Sequence, residues 1–242
     1  ARIGEGSLGG KARGLAFMNS MLVKYCQYAK YENVRVTIPR TVVVATDYFD
    51  AFIRNNGLEY VLTTEMTDEE ILSEFVSSTL PYKLREALKA YVRTVSGPLA
   101  VRSSSKLEDS HYQPFAGIYS TYMIPYTEGN EDRQLRLLQK AIKSVYASTY
   151  FAASKAYVQS SQNLIAEEKM AVVIQEVCGT EQDGLFFPTL SGVARSINYY
   201  PIGDETPEEG VCNIALGLGK LVVDGGRTLR FSPRYPPKVL QT

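Results

Sequence analysis

Apolar residues at Leu15, Met18, Leu22 and Cys26 recur three and four positions apart, and this spacing predicts a helix over 11–28, directly behind a glycine-rich loop. β-Branched runs at 34–38 and 41–45, interrupted by Pro39, predict a strand broken or edged at the proline. Thr46 is placed to cap a short helix carrying Tyr48, Phe49 and Phe52 and ended by Gly57. Thr67 and Glu70 form a capping-box pair, with Ile71, Phe75 and Val76 as the apolar face of a helix over 67–78. Pro81 opens another helix whose stripe is Leu84, Leu88, Tyr91 and Val92, stopped near Gly97. Residues 98–102 read as a compact strand running into Ser103, Ser104 and Ser105. From Asn130 a long helical pattern (Leu135, Leu138, Ile142, Val145, Tyr146, Tyr150) extends to about 158.

A polar stretch over 159–168 separates this part from strand-like runs at 170–177, 185–187, 192–200, 211–214 and 229–231, divided by Gly and Pro turns. The change of texture predicts an α+β protein of two lobes, a helix-rich one over 1–168 and a strand-rich one over 169–242.

Composition narrows the partners. Lys plus Arg (26) balance Asp plus Glu (26), so no net field favours a nucleic acid. The longest apolar runs fall far short of the roughly 20 residues that span a bilayer. The chain opens on Ala-Arg-Ile-Gly-Glu-Gly, without a signal-peptide pattern, and reads as a part of a longer protein. Cys26, Cys178 and Cys212 are widely spaced in apolar contexts, which suits buried thiols in a reducing, cytoplasmic setting better than a disulfide framework or a zinc site.

Several segments carry candidate chemistry. In the loop ending Gly9-Gly10-Lys11, the residue six before Lys11 is Glu5 and the one after it Ala12, which breaks the phosphate-loop pattern of nucleoside triphosphatases. Gly4, Gly6 and Gly9 match a dinucleotide fingerprint only formally, because three residues leave no room for the strand before it. What remains is a lysine at a helix N-terminus, where anions are favoured, or else a plain helix-cap turn with a solvated lysine. Arg102 emerges from an apolar strand into hydroxyls, either as a bidentate donor for phosphate or as a partner of Glu108 or Asp109. The run 170–177 is a buried strand ending in Gln175 and Glu176, an ordinary core strand or the edge of a nucleoside pocket.

Taken in order, Gly-Gly-Lys with Leu15, Ala-Val-Arg-Ser-Ser at 100–104, Phe115-Ala-Gly with Tyr119, Ala-Val-Val-Ile-Gln-Glu-Val at 171–177, Ser-Gly-Val-Ala at 191–194 and Gly-Leu-Gly with Val-Val-Asp-Gly-Gly at 217–226 resemble the ATP-binding domain shared by phosphoenolpyruvate synthases and pyruvate phosphate dikinases. The resemblance spans nearly the whole chain. It implies a two-lobed ATP-grasp-like fold that binds ATP with Mg2+. Lys11, Arg102, Ser103 and Gly117 would hold the phosphates, and Gln175, Glu176 and Val177 would line the adenine and ribose pocket. Arg195, Lys220, Arg230 and Arg234 are further candidates for phosphate contact. In such enzymes ATP phosphorylates a histidine on a separate domain, which passes the group to pyruvate in a third, so the implied partners are domains outside this chain. The only histidine here is His111, which lies outside the family's phosphohistidine motif and reads as a loop residue.

Two departures bear on the metal. Where the family has an acid after Gly-Leu-Gly this chain has Lys220, whose ammonium cannot ligate a cation, and Asn198 stands near the place of a metal-binding aspartate. Asn198, Glu176, Glu208 and Glu209 are the remaining candidate ligands, and Lys220 would replace part of the metal's charge. The expected activity is that of an ATP-dependent phosphotransferase making phosphoenolpyruvate from pyruvate. The alternatives are a relative with another acceptor, such as a glucan or an antibiotic hydroxyl, and a degenerate nucleotide-sensing module.

Overall fold

A computed structural model describes residues 1–25, 30–105, 119–160, 169–238 and 240–241. Helices and mixed sheets alternate in an α+β arrangement, and the chain divides into two compact units, Ala1–Val177 and Cys178–Thr242.

The first unit is built on a five-stranded sheet of β1 (Arg2–Ile3), β2 (Thr41–Val44), β3 (Leu99–Ser104), β4 (Thr121–Ile124) and β5 (Ala171–Glu176), in the order β1-β2-β5-β3-β4. β1 runs parallel to β2, and all other neighbours are antiparallel. β5, expected from sequence to open the second lobe, is instead the central strand here. Its four residues Ala171, Val172, Val173 and Ile174 are buried on both faces, which only a strand flanked on both sides achieves. The run at 34–38 forms no strand: apart from an isolated bridge between Tyr31 and Val34 it is irregular, and ladder pairing starts at Thr41, after Pro39.

Alternation sorts the two sheet faces. Val44, Val101, Val172 and Ile174 join a large core with α2 (Thr46–Asn56), α3 (Asp68–Ser77), α4 (Tyr82–Val92) and α5 (Glu131–Ser148). Phe52, Phe75 and Tyr146 are its aromatic centre, with Phe52 centroids 5.7 Å from Phe75 and 5.5 Å from Tyr146. Local rules act as expected in several places. Thr67 and Glu70 close a reciprocal capping box at 3.2 and 2.8 Å, and Gly57 ends α2 at φ +62°. The pattern expected as one helix over 130–158 is two, because the chain turns at 149–151 before α6 (Ala152–Ser160). The stretch 161–168 lies outside the described residues.

The opposite face carries α1 (Gly9–Lys24), where Ala12, Leu8 and Leu15 pack on Val43, Ala171 and Val173. The predicted stripe is only partly realised: Leu15 and Leu22 are half-buried, Met18 is exposed and Cys26 falls outside the described residues. Burial is concentrated instead at the start of the helix, in Gly9, Gly10 and Ala12.

The second unit holds a four-stranded antiparallel sheet in the order β11-β10-β9-β8, made of β8 (Leu190–Arg195), β9 (Val211–Leu216), β10 (Leu229–Phe231) and β11 (Leu240–Gln241), with α7 (Lys220–Asp224) after β9. A hairpin of β6 (Thr180–Gln182) and β7 (Leu185–Phe187) turns through Asp183 and Gly184, both at positive φ, as a two-residue type I′ turn requires. Cys178 is exposed rather than buried, since it follows the last strand of the first unit; Cys212 is half-buried. The loop between β8 and β9 is stapled to β10. Arg230 donates Nη1 to Glu205 Oε1 at 3.1 Å and Nη2 to Oε2 at 2.7 Å, and Asn198 Nδ2 donates to the same carboxylate at 2.9 Å. Asn198 and Arg230 are both buried.

Gly9 at φ +68° would place a β-carbon 1.9 Å from the Ser104 carbonyl oxygen, whereas at Gly14 a β-carbon meets nothing within 4 Å. Gly9→Ala is therefore expected to destabilise by about 2 kcal/mol or more, and Gly14→Ala to stabilise by about 1 kcal/mol or less, read by urea unfolding. Hydrogen bonding from Arg230 chiefly, and from the Ile202 amide and Asn198 besides, holds the Glu205 carboxyl down at about 2, from an ordinary 4.5. The depressed value means that this staple stabilises fully above about pH 4.5 and is lost as pH falls toward 2. Glu205→Gln is expected to flatten the pH dependence of stability across that window, measured by thermal melts at stepped pH.

Candidate functional site

The glycine-rich loop does not offer its amides to a ligand. Glu5 and Gly6 donate theirs to the two carboxylate oxygens of Asp47, each at 3.0 Å, and Ser7 donates to Thr46 Oγ1 at 2.9 Å. A β-carbon at Gly6 would lie 2.5 Å from the Asp47 amide, so the glycines permit close approach to α2 rather than to a phosphate. The start of α1 is likewise engaged: Gly10 donates to Ser105 O at 3.1 Å and Ala12 to Ser104 Oγ at 3.2 Å. Ser104 Oγ in turn donates to Leu8 O at 2.9 Å.

The effect of this seam is to deliver Lys11 to the end of β3. Its Nζ donates to the buried Ser103 Oγ at 3.4 Å, one residue from Arg102. In the ladder Arg102 pairs with Val173 and Ala100 with Gln175, and cross-strand partners share a face. Val173 belongs to the face that carries α1, so Arg102 and Gln175 lie on it too. Arg102 is half-buried and makes no hydrogen bond or ion pair to another described residue. Arg102 and Gln175 are separated by two residues of strand, roughly 7 Å. The helix start thus brings Lys11 to Ser103 at the end of β3, while Arg102 and Gln175 lie on the sheet face that carries α1. Gly117 and His111, with Glu108 and Asp109, lie outside the described residues.

At the far end of β5, Gln175 Nε2 donates to Thr41 Oγ1 at 3.1 Å. The Glu176 amide donates to Arg40 O and the Val177 amide to Pro98 O, both at 2.9 Å, so neither is free to read a base edge. Glu176 Oε1 lies 3.4 Å from Arg40 Nη1. Burial first, and the charge of Glu176 second, push the neighbouring Tyr91 hydroxyl up to about 12, with Arg40 acting in the opposite direction. Sequence reasoning missed Asp47, Ser104 and Arg40 as partners of these segments. Asp47 meets the glycine loop across 41 and 42 positions, and nothing local marks it. A cavity of about 720 Å³ opens between α1 and β2, walled by Leu8, Ala12, Leu15, Thr41 and Val43. Lys11, Arg102, Gln175 and Glu176 do not line it, and it is not the site these residues form.

The second unit answers differently. Arg230 and Asn198, expected at phosphate and metal, are consumed by the staple: Asn198 Oδ1 accepts from the Tyr200 amide at 3.1 Å and from Arg230 Nη2 at 3.4 Å. Arg195, Lys220 and Arg234 are exposed, Lys220 at the start of the short α7. Glu209 accepts from the Thr206 amide at 3.1 Å in a local cap. Among the described residues no three His, Cys, Asp or Glu side chains gather at one place, whereas Mg2+ is usually held by one or two carboxylates together with substrate phosphates. No helix among them is long and apolar enough to cross a membrane.

The chain is 31% identical over 198 residues to an uncharacterized phosphotransferase, YvkC, of Bacillus subtilis (strain 168), an alignment covering 79% of this chain and 20% of that protein. It is 28% identical over 240 residues to a phosphoenolpyruvate synthase of Aeropyrum pernix, covering 90% of this chain and 25% of that protein. The chain therefore spans a fifth to a quarter of the length of these relatives. The family described as pyruvate phosphate dikinase, AMP/ATP-binding domain, matches residues 5–233, and the chain belongs to it.

Proposed function

We propose that this chain is the ATP-binding part of a phosphoenolpyruvate synthase-like phosphotransferase, of ATP-grasp-like design, in which Lys11, Arg102, Ser103 and the loop at Gly117 hold the phosphates. The observation that supports the reading is the Lys11–Ser103 hydrogen bond, which brings an ammonium to the end of β3, the strand that carries Arg102. Two cations of different geometry suit a polyphosphate: the guanidinium grips two oxygens in a plane, and the ammonium acts as a point charge. Gln175, Glu176 and Val177, at the other end of β5, take the nucleoside through side chains and carbonyl oxygens, since two of their amides are already bonded.

The division of labour follows from these residues. Lys11 and Arg102 neutralise and orient the phosphates, which is most of what phosphoryl transfer asks of a protein. The acceptor histidine and the pyruvate site belong to other domains of the parent protein, as the length of the relatives supports. A reading with another acceptor uses the same ATP site.

Calorimetric titration with ATP tests the site. Lys11→Ala and Arg102→Ala are each expected to weaken binding about tenfold to a hundredfold, the loss of one charge-assisted contact. Unchanged affinity in both variants discards the phosphate assignment.

A further inference from the structure

Glu176 is tied to a single residue twice. Its amide donates to Arg40 O at 2.9 Å, and its Oε1 lies 3.4 Å from Arg40 Nη1. The ion pair is lopsided: the Glu176 side chain is 19% exposed and that of Arg40 58%. Arg40 is itself anchored just beyond α4, with Nη1 donating to Thr94 O at 3.1 Å and Nη2 to Thr94 Oγ1 at 3.3 Å. Thr94 Oγ1 donates in turn to Tyr91 O at 2.8 Å, so the guanidinium rests on the carbonyl end of the helix, where a cation is favoured.

Two enclosed polar atoms at this place, Glu176 Oε1 and the Tyr91 hydroxyl, have no hydrogen-bond partner among the described residues. An enclosed carboxylate oxygen is costly unless a cation stands near it, and the Arg40 guanidinium faces this one. Nothing in the fold of the sheet requires Glu176 to be acidic, because its ladder partner Leu99 and its backbone bonds are indifferent to the side chain.

We propose that Arg40 is a positioning residue for nucleotide binding: it holds the Glu176 carboxylate with Oε1 turned inward toward its guanidinium, and leaves Oε2 to accept hydrogen bonds from the ribose hydroxyls. This inference rests on the reading of 175–177 as the nucleoside end of the site. A carboxylate accepts a hydroxyl about twice as strongly as a neutral acceptor does, so Arg40 sets how well the protein tells a nucleotide with ribose hydroxyls from one without them. It does so without touching the ligand. Lys11 and Arg102 act on the phosphates and are blind to that difference.

The test compares ATP with 2′,3′-dideoxy-ATP by calorimetry on the intact protein. The wild type is expected to prefer ATP about tenfold or more, the value of a hydrogen bond to a charged group. Glu176→Gln and Arg40→Ala should each bring that preference to about threefold or less while leaving dideoxy-ATP affinity nearly unchanged, and Arg40→Lys should restore most of it. Lys11→Ala should weaken both ligands equally and keep the ratio. The exposure of Arg40 makes a folded variant the expected result; should Arg40→Ala unfold in urea control experiments, Arg40→Gln takes its place. An Arg40→Ala or Arg40→Gln protein that retains the wild-type ratio overturns the proposal, as does a wild type with no preference. A wild type that binds neither ligand overturns the nucleotide reading itself, and the proposal with it.

Discussion

Gly9 approaches the end of β3 so closely that a β-carbon would collide with the Ser104 carbonyl, and Gly10 and Ala12 complete the contact through Ser105 O and Ser104 Oγ. Everything proposed for the phosphate end follows from this seam. It fixes the first turn of α1 against the sheet, and Lys11, the third residue of the helix, then has its ammonium at Ser103 Oγ. Without the seam the helix would be held mainly by Ala12, Leu8 and Leu15, a thin apolar contact beside the large core on the other face. The loop is thus an internal clasp whose amides are spent on Asp47, and the ligand-facing groups are the side chains that the clasp aims.

The two ends of the candidate site obey one rule of electrostatics in opposite senses. At β3 the proposed phosphate site offers two cations, Lys11 at the end of the strand and Arg102 within it, which an anion would suit. At the end of β5 a partly enclosed carboxylate is already paired with Arg40, and the oxygen proposed for the ribose would meet a neutral donor. A molecule carrying phosphates at one end and hydroxyls nearer the other answers both, and membership of an AMP/ATP-binding family agrees with that chemistry. In the second unit a comparable set of charges closes on itself. Arg230, Glu205 and Asn198 satisfy one another, so their identities are explained by the loop they hold between β8 and β9.

What could be read along the chain was read where the physics is local. The capping box at Thr67 and Glu70, the left-handed stop at Gly57 and the strand at 41–44 need only neighbours within a few residues. The same local chemistry marks the Asp183-Gly184 hairpin, whose first strand was nonetheless overlooked because Thr180–Gln182 is polar and exposed. The run at 34–38 has β-branched residues but no strand to pair with, and propensity alone does not make a ladder. The helix stripe at Leu15, Met18 and Leu22 promised burial that Met18 does not find.

The order of motifs along the chain determined the family, and with it the candidate roles of Lys11, Arg102 and 175–177, because a shared chemistry leaves its residue types in sequence. Only the tertiary structure decided which of them meet. β5 moved from the edge of a presumed second lobe to the centre of the first sheet, since strand pairing is set by partners far away along the chain, from 67 positions (Ser104 with Ala171) to 134 (Thr41 with Gln175). Asn198 and Arg230 became fold-holding groups and Arg40 the partner of Glu176 for the same reason: hydrogen bonds and ion pairs act over a few ångströms of space, and separation along the chain does not encode that distance.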